Sequence, residues 1–261
     1  MESSYKYVEL DEREGVLHVT IRREEKLNAM NDQLMAELTE CFQCLQERSD
    51  IRAVVLTGTG KGFMAGADIE GYNGFDVGQF IAFQQKGRNL YRAIECCPQP
   101  VIAAVNGYAL GGGFELALSC DLVVASEKAK FGLPEVKLGL VPGGGGVQKI
   151  ARIVGPFLAR ELTMTGRFVT AEEGRAMGFV NEVTEPDKLL DGAAALARTI
   201  ADQAPLAVQA LKRLIHEGRD ASLETAQAYD RSYLANLFHS ADGKEGVAAF
   251  TEKRDPIFIG K

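Results

Sequence analysis

Three things are scarce in this 261-residue sequence: positive charge, cysteine, and long uninterrupted apolar runs. The 29 lysines and arginines are outnumbered by 36 aspartates and glutamates, for a formal charge of -7 and an isoelectric point near 5.2. That balance disfavours a general nucleic-acid or membrane-surface role, because such binding needs a basic stripe to neutralise phosphates. No run interleaves Lys or Arg with exposed aromatics, and Arg22-Arg23 and Lys212-Arg213 read as ordinary solvated pairs. The five cysteines are an odd set, too sparse for a secreted disulfide scaffold, and fit a reducing cytoplasm. Cys41 and Cys44 form a C-x-x-C, which puts two small side chains on one face of a helix. No second pair accompanies them, and His18, His216 and His239 are scattered, so a tetrahedral zinc site lacks ligands and no metal is expected.

The opening residues Met1 to Lys6 carry no apolar core of a signal peptide, so a secretory signal is not expected. The charge-free stretch 96–114 approaches membrane length, but Pro98, Pro100, Asn106 and four glycines interrupt it. It reads as loop, buried strand, turn and helix start, and no transmembrane segment is expected. Gly58-Thr59-Gly60-Lys61-Gly62 has neither the Walker spacing nor a G-x-G-x-x-G and reads as a turn.

What is present is a globular composition, 46% hydrophobic and 25% charged, long enough for a sizeable core. Residues 5–12 and 15–23 read as two strands, with Leu17, Val19 and Ile21 alternating with His18 and Thr20 along an amphipathic sheet edge. His18 reads as a solvated strand residue. A helix over 31–48, a buried strand over 52–57, a glycine-rich loop over 58–74 and a helix over 78–96 follow. Then come a buried strand over 101–105, a short helix over 112–119 and a strand over 122–125. Such alternation is the pattern of an α/β fold. Beyond residue 146 the pattern is helical, with one strand over 180–183. The boundary falls near 202–205 and divides the chain into a core of residues 1–204 and a helical region of 205–261, suited to covering a site or building an oligomer.

Two carboxylates stand out. Glu115 follows Gly111-Gly112-Gly113-Phe114 at the end of the charge-free stretch, where an ionisable group needs hydrogen bonds or a function. Glu135 follows Gly132-Leu133-Pro134. A site that stabilises a developing oxyanion needs closely approaching backbone N–H donors, which glycine and alanine permit. Phe63-Met64-Ala65-Gly66-Ala67-Asp68 and Gly111-Gly112-Gly113 both offer them, the second at a helix start where N–H groups are free.

These segments resemble the crotonase, or enoyl-CoA hydratase/isomerase, superfamily. The resemblance also runs through Lys26-Leu27-Asn28-Ala29-Met30, residues 103–117, Cys120-Asp121, Phe131-Gly132-Leu133-Pro134-Glu135, Leu138-Gly139-Leu140-Val141-Pro142-Gly143 and Phe250-Thr251-Glu252-Lys253-Arg254, nearly the whole chain. It implies a spiral of β-β-α repeats with a C-terminal helical trimerisation region, assembled as a homotrimer or a dimer of trimers. It implies an acyl-CoA substrate whose thioester oxygen is held by the N–H groups of Ala67 and Gly112. Leu27, Ala65, Asp68, Ile69 and Gly143 are placed around the CoA and the pocket, and Lys253 at a phosphate, across a subunit boundary. No cofactor is implied, since coenzyme A belongs to the substrate.

Members that hydrate trans-2-enoyl-CoA carry glutamate at both positions matching Glu115 and Glu135. The resemblance therefore implies a hydratase, with β-oxidation as its usual setting, Glu115 activating water and Glu135 exchanging a proton with C2. A double-bond isomerase or a hydratase-lyase on an aromatic enoyl thioester is the alternative. RNA binding, found in some crotonase relatives, is opposed by the acidic balance. At position 70, where some hydratases carry a phosphate-binding lysine, this chain has Glu70, and 71–74 also departs from the common pattern.

Overall fold

The computed structural model describes residues 5–261. Strands β1 (Val8–Arg13) and β2 (Val16–Ile21) form an antiparallel hairpin, turned at Glu14 and Gly15 with φ of 50° and 76°. Helix α1 (Asp32–Cys44) starts where the Asn31 side chain accepts the Leu34 N–H. It ends earlier than the sequence pattern suggests, in a 3-10 turn over Leu45–Glu47.

Three similar turns of chain follow. In the first, β3 (Ala53–Gly58) and β4 (Gly62–Met64) lead through the short α2 (Ile69–Tyr72) to α3 (Val77–Glu95), which a capping box at Asp76 and Gln79 opens. In the second, β5 (Val101–Val105) and β6 (Tyr108–Leu110) lead to α4 (Gly112–Ala117). The third runs through β7 (Leu122–Ser126), β8 (Lys130–Gly132) and a 3-10 turn (Pro134–Leu138) to α5 (Gly146–Val154). Each turn adds one strand to each of two sheets, the expected β-β-α spiral. The rest comprises α6 (Pro156–Thr165), β9 (Val169–Thr170), α7 (Ala171–Met177), β10 (Glu182–Thr184), α8 (Leu189–Ala201), α9 (Pro205–Gly218), α10 (Leu223–His239) and α11 (Ala241–Glu252).

The larger sheet has the order β1-β2-β3-β5-β7-β10, parallel except for the hairpin. Its central strands β3, β5 and β7 are buried on both faces, which is why they are almost uniformly apolar. Val54, Leu56, Val101, Ala103 and Val105 face the main core with α1 and α3, while Ala53, Val55, Ile102 and Ala104 pack on Leu189, Ala193 and Ala197 of α8. The sheet edge is β1, not β2, so His18 is half-buried between two strands, and burial draws its pKa below the usual value.

The smaller sheet, β4-β6-β8-β9, falls where the sequence pattern reads no strand. Its strands are two or three residues long, too short to show a period of two. Other readings are also corrected. Cys41 is buried and Cys44 exposed, so the pair straddles the boundary between the core side and the solvent side of α1. Arg23 is buried, its guanidinium 2.5 Å from Asp68, and the half-buried Lys212 has its side chain only 7% exposed, with Nζ 2.7 Å from Asp121. Neither belongs to a solvated pair, because each basic side chain finds a carboxylate far away in sequence, on another turn of the spiral.

Candidate active site

Strands β4, β6 and β8 are parallel neighbours, with Ala109 opposite Phe131 and Leu110 opposite Gly132. Their carboxyl ends therefore open side by side, and the chain leaving each one supplies one wall of a cleft. From β4 come Ala65, Gly66 and Ala67; from β6, Gly111, Gly112 and Glu115; from β8, Pro134 and Glu135. The open cleft has a cavity volume of about 180 Å³, with Met30, Met35, Phe80, Phe83 and Tyr91 among its apolar walls.

The β4 exit is fixed by backbone pairing. Met30 N–H donates to Gly66 C=O and Asp68 N–H to Met30 C=O, both at 2.8 Å, in an isolated parallel bridge centred on Ala67. That pattern engages the groups on either side of Ala67 and leaves its own N–H without a partner among the described residues. The Arg23 guanidinium locks the same loop, donating to Asp68 and, at 2.8 Å, to Ala29 C=O.

The β6 exit turns at Gly111, whose φ of 52° favours glycine, and a side chain there would meet Glu135 Oε1 at 3.0 Å. Gly112 starts α4, and its N–H likewise has no partner among the described residues. Gly113 touches β4 so closely that a Cβ would stand 1.8 Å from Met64 C=O. The rings of Phe114, Phe131 and Phe179, with centroids 5.1–5.4 Å apart, anchor the helix from behind.

Glu115 is 4% exposed, and its Oε1 accepts the N–H groups of Gly144 and Gly146, each at 2.8 Å. Burial raises its pKa, while the two N–H groups and the nearby Lys149 ammonium oppose that rise. Lys149 is itself held by Ser119 Oγ at 2.6 Å and by Glu95. Glu135 differs: its Oε2 is buried with no hydrogen-bond partner among the described residues. Burial pushes its pKa up to about 7; its own N–H draws it down, and the Glu115 charge adds to the rise. The cleft thus pairs a carboxylate stabilised by two N–H donors with a carboxyl that keeps a proton near neutrality.

Of the other expected residues, Ala65, Ala67, Ile69, Gly112 and Gly143 line the cleft with the two glutamates. Leu27 lies beside it with its backbone in the left-handed region, its C=O accepting Ala65 N–H at 3.0 Å. The Asp68 carboxylate is occupied by Arg23. Lys253 caps the C-terminus of α11, exposed and outside this cleft. Glu70 is exposed and paired with Lys26 Nζ at 2.6 Å. Sequence reasoning missed Met30, Tyr72, Phe80, Phe83, Gln84 and Tyr91 in the cleft. The only signal for the aromatic members was their clustering at the end of α2 and on one side of α3.

The enoyl-CoA hydratase/isomerase family profile matches residues 11–261. The chain belongs to that family. It is 41% identical over 245 residues to a short-chain-enoyl-CoA hydratase of Clostridium acetobutylicum, spanning 93% of this chain and 94% of the relative. To a crotonyl-CoA hydratase of Syntrophomonas wolfei it is 37% identical, over 99% of this chain and all of the relative. The crystal structure of an enoyl-CoA hydratase from Bacillus anthracis superposes with a TM-score of 0.95 at 36% identity, covering 98% of this chain and 100% of that one. In this hydratase/isomerase family the substrate is an acyl-CoA, and the mixed α/β spiral with its helical C-terminal region is the family's crotonase fold.

Proposed function

We propose that this protein is an enoyl-CoA hydratase, a hydro-lyase that adds water across the C2–C3 double bond of a trans-2-enoyl-CoA. One observation carries the reading: the unpaired Glu135 Oε2 and the doubly held Glu115 share one cleft with the free N–H groups of Ala67 and Gly112. The two N–H groups receive the thioester oxygen and gain most as charge builds on it in the transition state. Glu115 takes a proton from water as its oxygen bonds to C3. The displaced π electrons form an enolate, and Glu135 delivers its proton to C2. A proton passed back from Glu115 to Glu135 resets the pair.

No resident cofactor enters this scheme, because coenzyme A arrives with the substrate. We place the CoA moiety along Leu27, Ala65, Asp68, Ile69 and Gly143, and the assembly as a homotrimer or dimer of trimers with Lys253 delivered by a neighbour. For Asp68 the support is positional, since its carboxylate belongs to Arg23. The reducing cytoplasm and a role in β-oxidation are part of the same reading. The five free cysteines and the lack, among the described residues, of any helix long and apolar enough to cross a membrane accord with it.

Loss of enoyl absorbance on mixing with crotonyl-CoA tests the activity, beside longer-chain, 3-enoyl and cinnamoyl-type thioesters. Glu115→Gln and Glu135→Gln are each expected to lower kcat by about 10²- to 10⁴-fold while thioester binding persists. Turnover of a 3-enoyl thioester alone overturns the hydratase assignment.

A further inference from the structure

The cleft contains a buried hydroxyl that the scheme above does not use. Tyr91, 4% exposed on α3, donates its O–H to the C=O of Gly112 at 3.0 Å, and Met30 Sδ lies 3.7 Å from the Tyr91 hydroxyl oxygen. Its ring lies under Gly144, where a Cβ would come within 2.1 Å of Tyr91 Cε2. Lys149 Nζ stands 5.6 Å from the ring centroid. One side chain thus touches the residue that offers the free N–H and the residue that holds Glu115.

We propose that Tyr91 is a positioning residue for the oxyanion donor: its hydroxyl fixes the first turn of α4 by the Gly112 carbonyl, and so aims the Gly112 N–H into the cleft. The assignment rests on the oxyanion role proposed above. A six-residue helix that begins with two glycines has little intrinsic rigidity. Gly112 has no side chain of its own to wedge it, so its orientation depends on what grips its backbone. Gly111 N–H is bonded to Gly132 C=O at 2.8 Å, which fixes the turn from one side. The Tyr91 hydroxyl fixes it from the other. Burial and the neighbouring Glu115 and Glu135 charges keep this phenol protonated well beyond neutral pH, so it stays a donor throughout the working range. A donor off its line loses more in the transition state than in the ground state, because the oxygen charge it meets is larger there.

The test is Tyr91→Phe, which removes the hydroxyl and keeps the ring beneath Gly144. Expected are a kcat for crotonyl-CoA roughly five- to tenfold lower, the effect of one neutral hydrogen bond, and a KM within about twofold of wild type. A second readout is independent of hydration. A cinnamoyl-type CoA thioester bound by the wild-type protein should absorb at longer wavelength than in water, as its carbonyl is polarised, and the shift should shrink in the variant. A lower melting temperature with kcat and spectral shift unchanged overturns the proposal, as does a lower kcat with a full spectral shift. If the wild-type protein binds the thioester without any shift, the oxyanion reading fails and this assignment fails with it. A shift in the wild type that Tyr91→Phe leaves intact refutes the role of Tyr91 alone.

Discussion

Glu135 Oε2 sits buried without a partner among the described residues, an arrangement that opposes folding most when the group is ionised. The folded protein holds this proton up to about pH 7, whereas an unfolded chain releases it near 4.5. Between those values the folded state binds more protons, so stability falls across that window as pH rises. Glu135→Gln should therefore melt above wild type at pH 8, by about 2–4 °C once the solvent reaching this residue is allowed for, and the gap should close below pH 4.5. Thermal melts of both proteins across pH 4–8 check this, and a variant that melts lower at pH 8 contradicts it. Gain of stability with loss of turnover is what a strained functional carboxyl gives. Both glutamates were legible in the sequence, Glu115 as a carboxylate after a glycine turn in a charge-free stretch and Glu135 as one behind a Gly-Leu-Pro turn. Arg23, Lys212 and Tyr91 were not. Their partners lie 45, 91 and 21 residues away, and no local pattern announces a buried ion pair or a hydroxyl under a glycine.

The centre of the larger sheet was legible because its strands there are buried on both faces and five or six apolar-rich residues long, as in 53–58 and 101–105. The smaller sheet was hidden, and it is the element that assembles the cleft. Gly62, Tyr108 and Lys130 begin strands of three residues that no propensity would select. Here glycine marks close approach of backbones: a Cβ on Gly107 would lie 2.0 Å from Lys61 C=O, and one on Gly113 1.8 Å from Met64 C=O. A carbonyl in a paired strand cannot step aside as a flexible side chain can. Gly113→Ala should therefore push α4 away from β4, lowering stability by about 2–4 kcal/mol and the melting temperature by roughly 5–12 °C. Because Gly112 moves with the helix, kcat should fall as well. Calorimetry and steady-state kinetics on the variant check both, and a melting temperature within about 2 °C of wild type shows that the two elements have room to part.

On the molecular scale, the C-terminal helices leave much apolar surface uncovered in a single chain: Leu211 and Ile215 on α9, Leu223, Leu234 and Phe238 on α10, each 58–74% exposed. Isolated exposed apolar residues are ordinary, but two packed helices carrying five are not. We propose that burial against other copies covers them and that Lys253, which is not among the residues lining its own cleft, serves a neighbour's. The two ideas can be tested together. Ile215→Glu combined with Phe238→Glu places charge in the proposed contact, and light scattering should show the mass falling from three or six times 28.3 kDa toward a single chain. In the assembled protein, Lys253→Ala should weaken CoA-thioester binding by about three- to tenfold, more at low ionic strength than at high. In the dissociated protein the same substitution should have almost no effect, since the lysine no longer reaches another chain's cleft. Titration calorimetry on the four proteins reads the coupling directly. If Lys253→Ala weakens binding equally in both backgrounds, the lysine serves its own subunit and the cleft is complete within one chain.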